Sequence, residues 1–238
     1  MSKAIFTQPG LICSFSKRPF NMSLRHGDTR DTLNNRRIFL AGLGIDSRDL
    51  VCAEQVHGAN IYYADHRDRG KGALSCNTAL AQTDGLVTDK VGVPLAIFTA
   101  DCLSIFLYEP ELRVIALVHA GWRGTKAGIL TRALALMQDK FKIPSEDLLA
   151  GFGPAIRSCC YEVGEEFREF FDYGLSRMNN RYHLDLIALN RRQLLEAGIS
   201  ENHISDSGIC TSCSNQEFFS FRKDGESCAR MMSVAMLK

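Results

Sequence analysis

The stretch VIALVHAGWRGTKAG, residues 114–128, decides the fold and marks a site. Its apolar, β-branched run ends at His119 and is followed at once by the single tryptophan of the chain, Trp122, and by Arg123 between two glycines. From Thr125 onward, apolar side chains recur at steps of three and four residues, which is typical of a helix with one buried face. The stretch therefore predicts a strand, a turn and a helix, with an imidazole at the end of the strand.

The rest of the chain alternates strand-like and helix-like patterns. The apolar runs PLAIFTA and SIFLYEP flank Asp101 and Cys102, so this pair is expected where two strands meet. Further strands are predicted over LVCAEQVHG as far as His57, over EDLLAGFG, and near Ile204, Phe219 and Ser233. Helices are predicted over DTRDTLNNRRIFLAGLG, GEEFREFF and DLIALNRRQLLEAG. These elements indicate an α/β (α+β) fold, a single domain over residues 1–238, with a central mixed β-sheet flanked by helices and an active site at strand ends.

Composition limits the classes of function. The 238 residues are 45% hydrophobic, and 28 basic residues nearly balance 27 acidic ones. Because no run of basic residues offers a track for phosphates, nucleic acid is not expected as a partner. No stretch has the apolar length that crosses a membrane, and MSKAIFTQPG contains no apolar signal core. Nine cysteines, an odd number, suit a reducing compartment, so we expect a cytoplasmic protein.

Three residues that bind soft or borderline metals lie at or beside predicted strand ends: His57, Cys102 and His119. Zinc accepts imidazole nitrogen and thiolate sulfur, and a catalytic zinc usually keeps three protein ligands and one open position. Neighbouring strand ends can bring such residues together on one rim of a sheet. Since no short metal motif is present, the pattern is equally compatible with buried thiols and strand-end imidazoles.

The same atoms allow a second chemistry. Cys102 can act as a nucleophile, with His119 or His57 as its base and with Asp84 or Asp101 as the group that orients the base. The two aspartates can equally orient a metal-binding histidine or act as acid or base, and Asp84 can simply cap a turn. Sequence spacing does not separate the metal site from the cysteine hydrolase.

Two pairs of cysteines remain outside this group. The sequence CTSC, residues 210–213, looks like half of a zinc knuckle, but no second pair of this kind follows it. The adjacent Cys159 and Cys160 do not supply a convincing partner spacing. We therefore expect all four to be buried thiols.

The order of seven motifs resembles the laccase-domain family, also described as polyphenol oxidase-like or YfiH-type. The motifs are QVHG, TDGLVTD, TADCLSIFLYEP, VIALVHAGWRGTKAGIL, GPAIRSCCYEVGEE, DLIALNRRQLLEAGI and CTSCSNQEFFSFRKDG. With FNMSLRHGD near the N-terminus, the resemblance covers nearly the whole chain. It implies Zn²⁺ held by His57, Cys102 and His119, and incidental Cu²⁺ binding at that site is compatible with the affinity order of divalent metals.

The resemblance also implies an activity. The family is regarded as zinc-dependent purine nucleoside phosphorylase, and it is linked with adenosine deamination, with methylthioadenosine phosphorolysis and, in one branch, with removal of wrongly built peptidoglycan precursors. The expected partners are therefore purine nucleosides and phosphate, and a homo-oligomer is a further expectation. Two segments depart from the family pattern and put substrate preference in question: Arg157 with Ser158, and HRDRGKG over residues 66–72.

Phosphorolysis requires donors for phosphate and a way to stabilise the departing base. The candidate residues for binding substrate and phosphate are Ser23, Arg25, Gly121, Trp122 and Arg123. An arginine fork suits phosphate oxygens, and the glycines allow backbone N–H groups to approach closely at the start of the following helix. Arg25 is equally well explained as a solvated surface charge, and an indole beside a core strand packs more often than it stacks on a purine.

Two other functions remain as alternatives. One is a cysteine-type amidase that edits peptidoglycan precursors, and the other is a non-catalytic interaction module stabilised by zinc with a closed coordination sphere. A multicopper oxidase is disfavoured, because the chain has six histidines and no His-x-His pair, too few for four coppers once His57 and His119 are assigned.

Overall fold

The computed structural model of the chain describes residue 5 and residues 8–238. Within this part of the chain, the strands are β1 (Leu11–Phe15), β2 (Val51–Cys52), β3 (Ile61–Tyr63), β4 (Gly85–Thr88), β5 (Leu95–Thr99), β6 (Leu103–Glu109), β7 (Val114–Ala120), β8 (Leu149–Phe152), β9 (Glu162–Val163), β10 (Leu175–Met178), β11 (Arg181–Leu184), β12 (Ile204–Asp206) and β13 (Met231–Leu237). The α-helices are α1 (Thr29–Ala41), α2 (Trp122–Lys126), α3 (Ile129–Phe141), α4 (Leu186–Glu196) and α5 (Phe221–Asp224).

A six-stranded mixed sheet forms the centre of the fold, in the order β12-β8-β6-β7-β4-β3. The run VIALVHA forms β7, which pairs antiparallel with β6 on one side and with β4 on the other. Both β6 and β7 are buried along their whole length, as expected for strands covered on two faces. The parallel pairs β12/β8 and β3/β4 make the sheet mixed, so the predicted central mixed sheet is confirmed.

A second sheet of four strands, in the order β1-β13-β5-β2, packs against one face of the central sheet. The side chains between the two sheets alternate along each strand, as in Phe106, Ile115 and Leu117 of the central sheet and Leu95 and Ile97 of the second. This apolar layer fixes the position of the loop that leaves β5 relative to the strands that follow it.

Helices cover the outer faces of both sheets. The other face of the central sheet packs against α3 and α4, whose Leu134 and Leu194 join its apolar cluster. Leu40 of α1 packs against the outer face of the second sheet. The α/β prediction with flanking helices is thus confirmed, and the layers run helix, sheet, sheet, helices. Among the described residues, no helix combines the length and the apolarity needed to cross a bilayer.

Most of the predicted elements appear close to their expected positions. The helix from Asp28 is α1, with the Asp28 side chain accepting a hydrogen bond from the backbone N–H of Asp31. The helix predicted from Thr125 is divided into α2 and α3, because Gly128 lies in the left-handed region with φ at +71°. The segment GEEFREFF forms only a 3₁₀ turn at Glu165–Glu169.

Three predictions were wrong. LVCAEQVHG forms a strand only at Val51–Cys52, because the backbone beyond residue 55 hydrogen-bonds to a carboxylate instead of a neighbouring strand. No strand forms at Phe219, which is buried just before α5 in an apolar cluster that also contains Phe15 and Phe218. The four cysteines expected as buried thiols, residues 159, 160, 210 and 213, form one cluster in which only Cys210 is buried; Cys159 and Cys213 are exposed, and Cys160 is half-buried. All nine cysteines lie in the described part of the chain and are free thiols.

Phe106 should contribute strongly to stability, because its ring is fully buried between the two sheets. We expect Phe106→Ala to lower the free energy of unfolding by about 3–5 kcal/mol, since it removes apolar contacts and leaves a cavity. Leu112→Ala, in the adjacent turn, is the matched control: that side chain is 55% exposed, so its loss should cost within about 0.5 kcal/mol. Equilibrium unfolding in urea measures both changes, and equal losses would contradict this packing.

Candidate metal centre

Three elements of the fold bring His57, Cys102 and His119 together. Their ligand atoms all lie within 4.8 Å of one another, and the two imidazole centroids are 4.9 Å apart. The register explains part of this: Leu103 of β6 pairs with Ala120 of β7, so the preceding Cys102 meets the end of β7. The structure therefore places the three predicted metal ligands in one cluster.

Asp84 lies directly behind this cluster. It precedes β4, whose Gly85 pairs with Val118, and the backbone N–H of His119 donates to the Asp84 carbonyl at 2.7 Å. The fully buried Asp84 carboxylate is 2.8 Å from Nδ1 of His119. It also accepts hydrogen bonds from the backbone N–H groups of residues 56, 57 and 58, at 3.1, 3.0 and 2.8 Å. One carboxylate thus positions both histidines, and it leaves Nε2 of His119 available as a ligand.

The electrostatics of the cluster favour a thiolate. Burial of Cys102 opposes its ionisation, but His119 and His57 outweigh burial and lower the pKa of the thiol to about 6. Burial likewise opposes ionisation of Asp84, and the hydrogen bond from His119 with the backbone N–H donors lowers the pKa of that carboxyl. Two anionic groups therefore lie beside two imidazoles, a donor set that suits a divalent cation.

The glycines of HAGWRG make room for this cluster. A Cβ atom on Gly121 would lie 3.0 Å from Sγ of Cys102 and 3.2 Å from Cδ2 of His57. A Cβ atom on Gly124 would lie only 2.8 Å from the carbonyl oxygen of Gly58. At both positions, the turn that follows β7 therefore comes so close to its neighbours that a side chain would crowd them. The sequence predicts that these glycines let backbone N–H groups at a helix start approach phosphate. The structure supports this role less, because α2 has only five residues.

The three candidate ligands line a cavity of about 570 Å³, within the size range of small-molecule sites. Of the other residues predicted for the site, the cavity is also lined by Ser23, Arg25, Asp101, Trp122 and Arg123. Gly121 and Asp84 lie next to the ligands without lining the cavity. The structure therefore gathers all of the predicted residues around one cavity.

The two candidate arginines have different surroundings. Arg25 forms an ion pair with Glu54 at 2.7 Å, and its backbone N–H donates to Oγ of Ser23. The guanidinium of Arg123 lies over the Trp122 ring, 4.4 Å from its centroid, and among the described residues no carboxylate forms an ion pair with it. Arg123 is thus the more available of the two for an anionic ligand.

Trp122 and Asp101 both have structural contacts. The Trp122 ring stacks on Phe170 at 5.6 Å, which agrees with the packing interpretation. Asp101 has a positive φ of +85°, and its carboxylate accepts hydrogen bonds from Oγ1 of Thr211 at 2.6 Å and from the backbone N–H of Arg222 at 2.7 Å. Asp101 therefore fastens the cavity wall to the Cys102 loop instead of orienting a histidine.

Sequence reasoning missed several residues of the cavity. Tyr161 and Arg222 line it, with the guanidinium of Arg222 5.5 Å from the centroid of the Tyr161 ring, and burial raises the pKa of this phenol. Both residues lie within two of the seven motifs, in the segments CCYEV and SFRKDG. The sequence therefore contained the information needed to propose them. The two departures from the family pattern have little access to the cavity: Arg157 pairs with Asp206, and of residues 66–72 only Gly72 lines it.

Known proteins of similar sequence identify the family of this chain. Residues 3–238 match the family described as multi-copper polyphenol oxidoreductase laccase. The chain belongs to this family. It is 41% identical over 231 residues to purine nucleoside phosphorylase YlmD of Geobacillus stearothermophilus, covering 92% of this chain and 84% of that protein. It is 32% identical to adenosine deaminase RL5 of an unknown prokaryotic organism, covering 83% and 79% of the two chains.

The solved structures support the fold as well. The crystal structure of YlmD from Geobacillus stearothermophilus superposes with a TM-score of 0.94 at 35% identity, covering 99% of this chain and all of that one. The resemblance inferred from the seven motifs is therefore confirmed. Among the described residues, only one cluster of potential metal ligands contains histidine, which does not fit the several coppers in the family's description.

Gly121→Ala should weaken metal binding, because the added methyl group would crowd Sγ of Cys102 and the ring of His57. We expect the metal affinity to fall by on the order of tenfold or more, as when the surroundings of a metal ligand are disturbed. Gly42→Ala is the control, since Gly42 has a φ of −63° and its Cβ would meet its nearest atom at 3.4 Å. Competition with a chromophoric chelator gives both affinities, and unchanged binding in Gly121→Ala would contradict the packing around the ligands.

Proposed function

We propose that this protein is a zinc-dependent purine nucleoside phosphorylase, converting adenosine or inosine and phosphate to the free base and ribose 1-phosphate. The observation that carries the proposal is one cavity that contains the His57, Cys102 and His119 cluster together with the Arg123 guanidinium, which has no ion-pair partner in the described part of the chain. The relative from Geobacillus stearothermophilus, named as a purine nucleoside phosphorylase, supports it.

The donor set fits zinc. Two imidazoles and a thiol whose pKa is lowered to about 6 are ligands that zinc prefers, and the carboxylate of Asp84 fixes one imidazole in the way that buried carboxylates do for zinc-bound histidines. Three protein ligands leave one position for substrate. When bound, zinc supplies Lewis acidity that polarises an oxygen or nitrogen of the substrate. Cu²⁺ can occupy the same donors incidentally.

Arg123 is proposed to hold phosphate. Its planar fork can donate two hydrogen bonds to phosphate oxygens, and the Trp122 ring beneath it limits its freedom. Arg25 already forms an ion pair with Glu54. It would therefore act on phosphate binding only indirectly, by holding Ser23 and the rim of the cavity in position. Phosphorolysis then depends on placing the phosphate oxygen and the sugar carbon in one cavity, which converts an encounter of two molecules into a reaction within one complex.

The nucleoside is proposed to lie against the apolar part of the cavity. Phe98, Ile156 and Leu186 line that part, and Tyr161 adds a phenol within it. A flat purine suits an apolar wall with few polar groups, which then fix its orientation. The role of Trp122 toward the purine stays a prediction, because its ring already packs against Phe167 and Phe170.

Adenosine deamination and methylthioadenosine phosphorolysis are further activities that we propose for the same cavity. The deaminase relative supports the first of these. Deamination attacks a carbon of the purine ring, whereas phosphorolysis attacks the sugar carbon. One ligand pose does not place both carbons at the same point, so we infer either two binding poses or an indirect role for zinc in one of the two reactions.

A cysteine hydrolase acting on peptidoglycan precursors is the second candidate. Cys102 would be its nucleophile, His119 beside it the base, and Asp84 on the other side of His119 the group that orients the base. This chemistry would survive chelation of metal and would be abolished by alkylation of the thiol.

A zinc-stabilised interaction module would require a fourth protein ligand, whereas three donors form this cluster within the described residues. A single domain over residues 1–238, a cytoplasmic location and a homo-oligomer remain predictions.

The proposal is tested by incubating the protein with inosine, adenosine or methylthioadenosine, with and without phosphate, and identifying the products. We expect a free base and a sugar 1-phosphate only when phosphate is present, and loss of turnover when the metal is removed or His119 is changed to Ala. Phosphate-independent hydrolysis of cell-wall precursors, without any cleavage of nucleosides, would replace this proposal by the hydrolase.

Arg123→Ala should keep the metal but reduce kcat/KM for phosphate. A charge-assisted hydrogen bond contributes about 2–3 kcal/mol, so we expect a decrease on the order of 100-fold. Lys126→Ala is the matched control, because Lys126 lies on the same short helix but outside the cavity, with its ammonium over the Phe170 ring. If Arg123→Ala leaves the use of phosphate unchanged, the residue is a structural part of the turn, and Arg25 becomes the candidate.

A further inference from the structure

A second cluster of potential metal ligands lies outside the cavity. The sulfur atoms of Cys159, Cys160, Cys210 and Cys213 all lie within 4.8 Å of one another. Sγ of Cys213 is 3.7 Å from that of Cys159 and 3.4 Å from that of Cys160. Four thiols from two segments separated by about fifty residues thus meet at one point near the surface.

The fold explains this meeting. Strands β8 and β12 are parallel neighbours in the central sheet, and the chain leaves both at the same edge. Beyond them, Ala155 and Cys210 form an isolated bridge, and the N–H of Thr211 donates to the carbonyl of Ala155 at 3.0 Å. The turn over residues 158–160 then brings the adjacent cysteines back onto the CTSC segment.

The sulfur positions suit a tetrahedral metal better than a disulfide. A disulfide joins two sulfurs at about 2.05 Å, which is far shorter than the separations here. A zinc ion with four bonds of about 2.3 Å separates its sulfur ligands by about 3.8 Å.

We propose that Cys159, Cys160, Cys210 and Cys213 form a second metal site, which holds one Zn²⁺ through four thiolates. Four protein ligands close the coordination sphere, so the site is structural and takes no part in turnover. The four sulfur positions support this site whether or not the protein is a phosphorylase.

The position of the site gives it a role in building the cavity. Ile156 and Tyr161, which line the cavity, flank one pair of cysteines, and the N–H of Ile156 donates to the carbonyl of Asp101. Thr211, within the other pair, donates to the carboxylate of Asp101. A metal that joins the two pairs would therefore hold this wall in place beside Cys102.

Metal analysis of protein purified with reductant and without added zinc tests the proposal. We expect two zinc ions per chain in the wild type and one in Cys102→Ala, which leaves the four-cysteine cluster intact. X-ray absorption at the zinc edge should then show only sulfur ligands in Cys102→Ala. Absence of zinc from Cys102→Ala, or nitrogen ligands around the zinc of that variant, would overturn the proposal.

Cys213→Ser should lose one zinc, with Cys76→Ser as the matched control, because Cys76 belongs to neither cluster. We expect the control to keep both ions, and the Tm of Cys213→Ser to fall further than that of the control, since binding of a structural metal contributes to folding. Retention of two zinc ions in Cys213→Ser would contradict the site. Thiol titration in denaturant and chelator should find all nine thiols of the wild type, and a count two lower would show a disulfide instead.

Discussion

The buried carboxylate of Asp84 is the interaction on which the candidate metal centre depends. It lies 2.8 Å from Nδ1 of His119 on β7 and accepts backbone hydrogen bonds from residues 56, 57 and 58 in the loop that carries His57. A fully buried carboxylate is costly unless its oxygens are occupied by donors, and these four donors satisfy it. Satisfying this one charge therefore holds both imidazoles beside Cys102.

The packed sheets supply the rigid frame for that interaction. The register of β6 against β7 sets Cys102 at the end of β7, and Gly121 has no side chain to obstruct the approach of Cys102 and His57. Asp101 and the proposed four-cysteine site hold the opposite wall of the cavity. Of the candidate metal ligands, Cys102 and His119 are thus placed by strand ends and His57 by a loop, while the residues that would select the substrate come from loops around them.

The sequence was informative where local pattern and tertiary structure agree. The apolar run VIALVHA and the runs on either side of Asp101 predicted β5, β6 and β7, and with them the meeting of Cys102 and His119. His57 lies in the site, but the predicted strand is not what places it there. LVCAEQVHG has a strand pattern, but the hydrogen bonds to Asp84 draw residues 56–58 into a loop, and no local pattern records a partner 27 residues away.

The four-cysteine cluster shows the same limit. CTSC has no second pair in the sequence, and only the parallel neighbours β8 and β12 bring Cys159 and Cys160 to it. Asp84 before Gly85 likewise has the pattern of a turn cap, and its contact with His119 depends on the pairing of β4 with β7.

The most direct test of this account is the metal affinity of Asp84→Asn, measured by chelator competition on protein shown by circular dichroism to be folded. An amide at this position keeps the size of the side chain but loses the charge and half of the acceptor capacity, so we expect the affinity of the His57, Cys102 and His119 site to fall by about 10–100-fold. Asp89→Asn, whose carboxylate contacts Tyr63 and Lys90 away from the cluster, should keep the wild-type value. Equal affinity in Asp84→Asn and the wild type would show that the two histidines are held without this carboxylate, and would contradict the central claim.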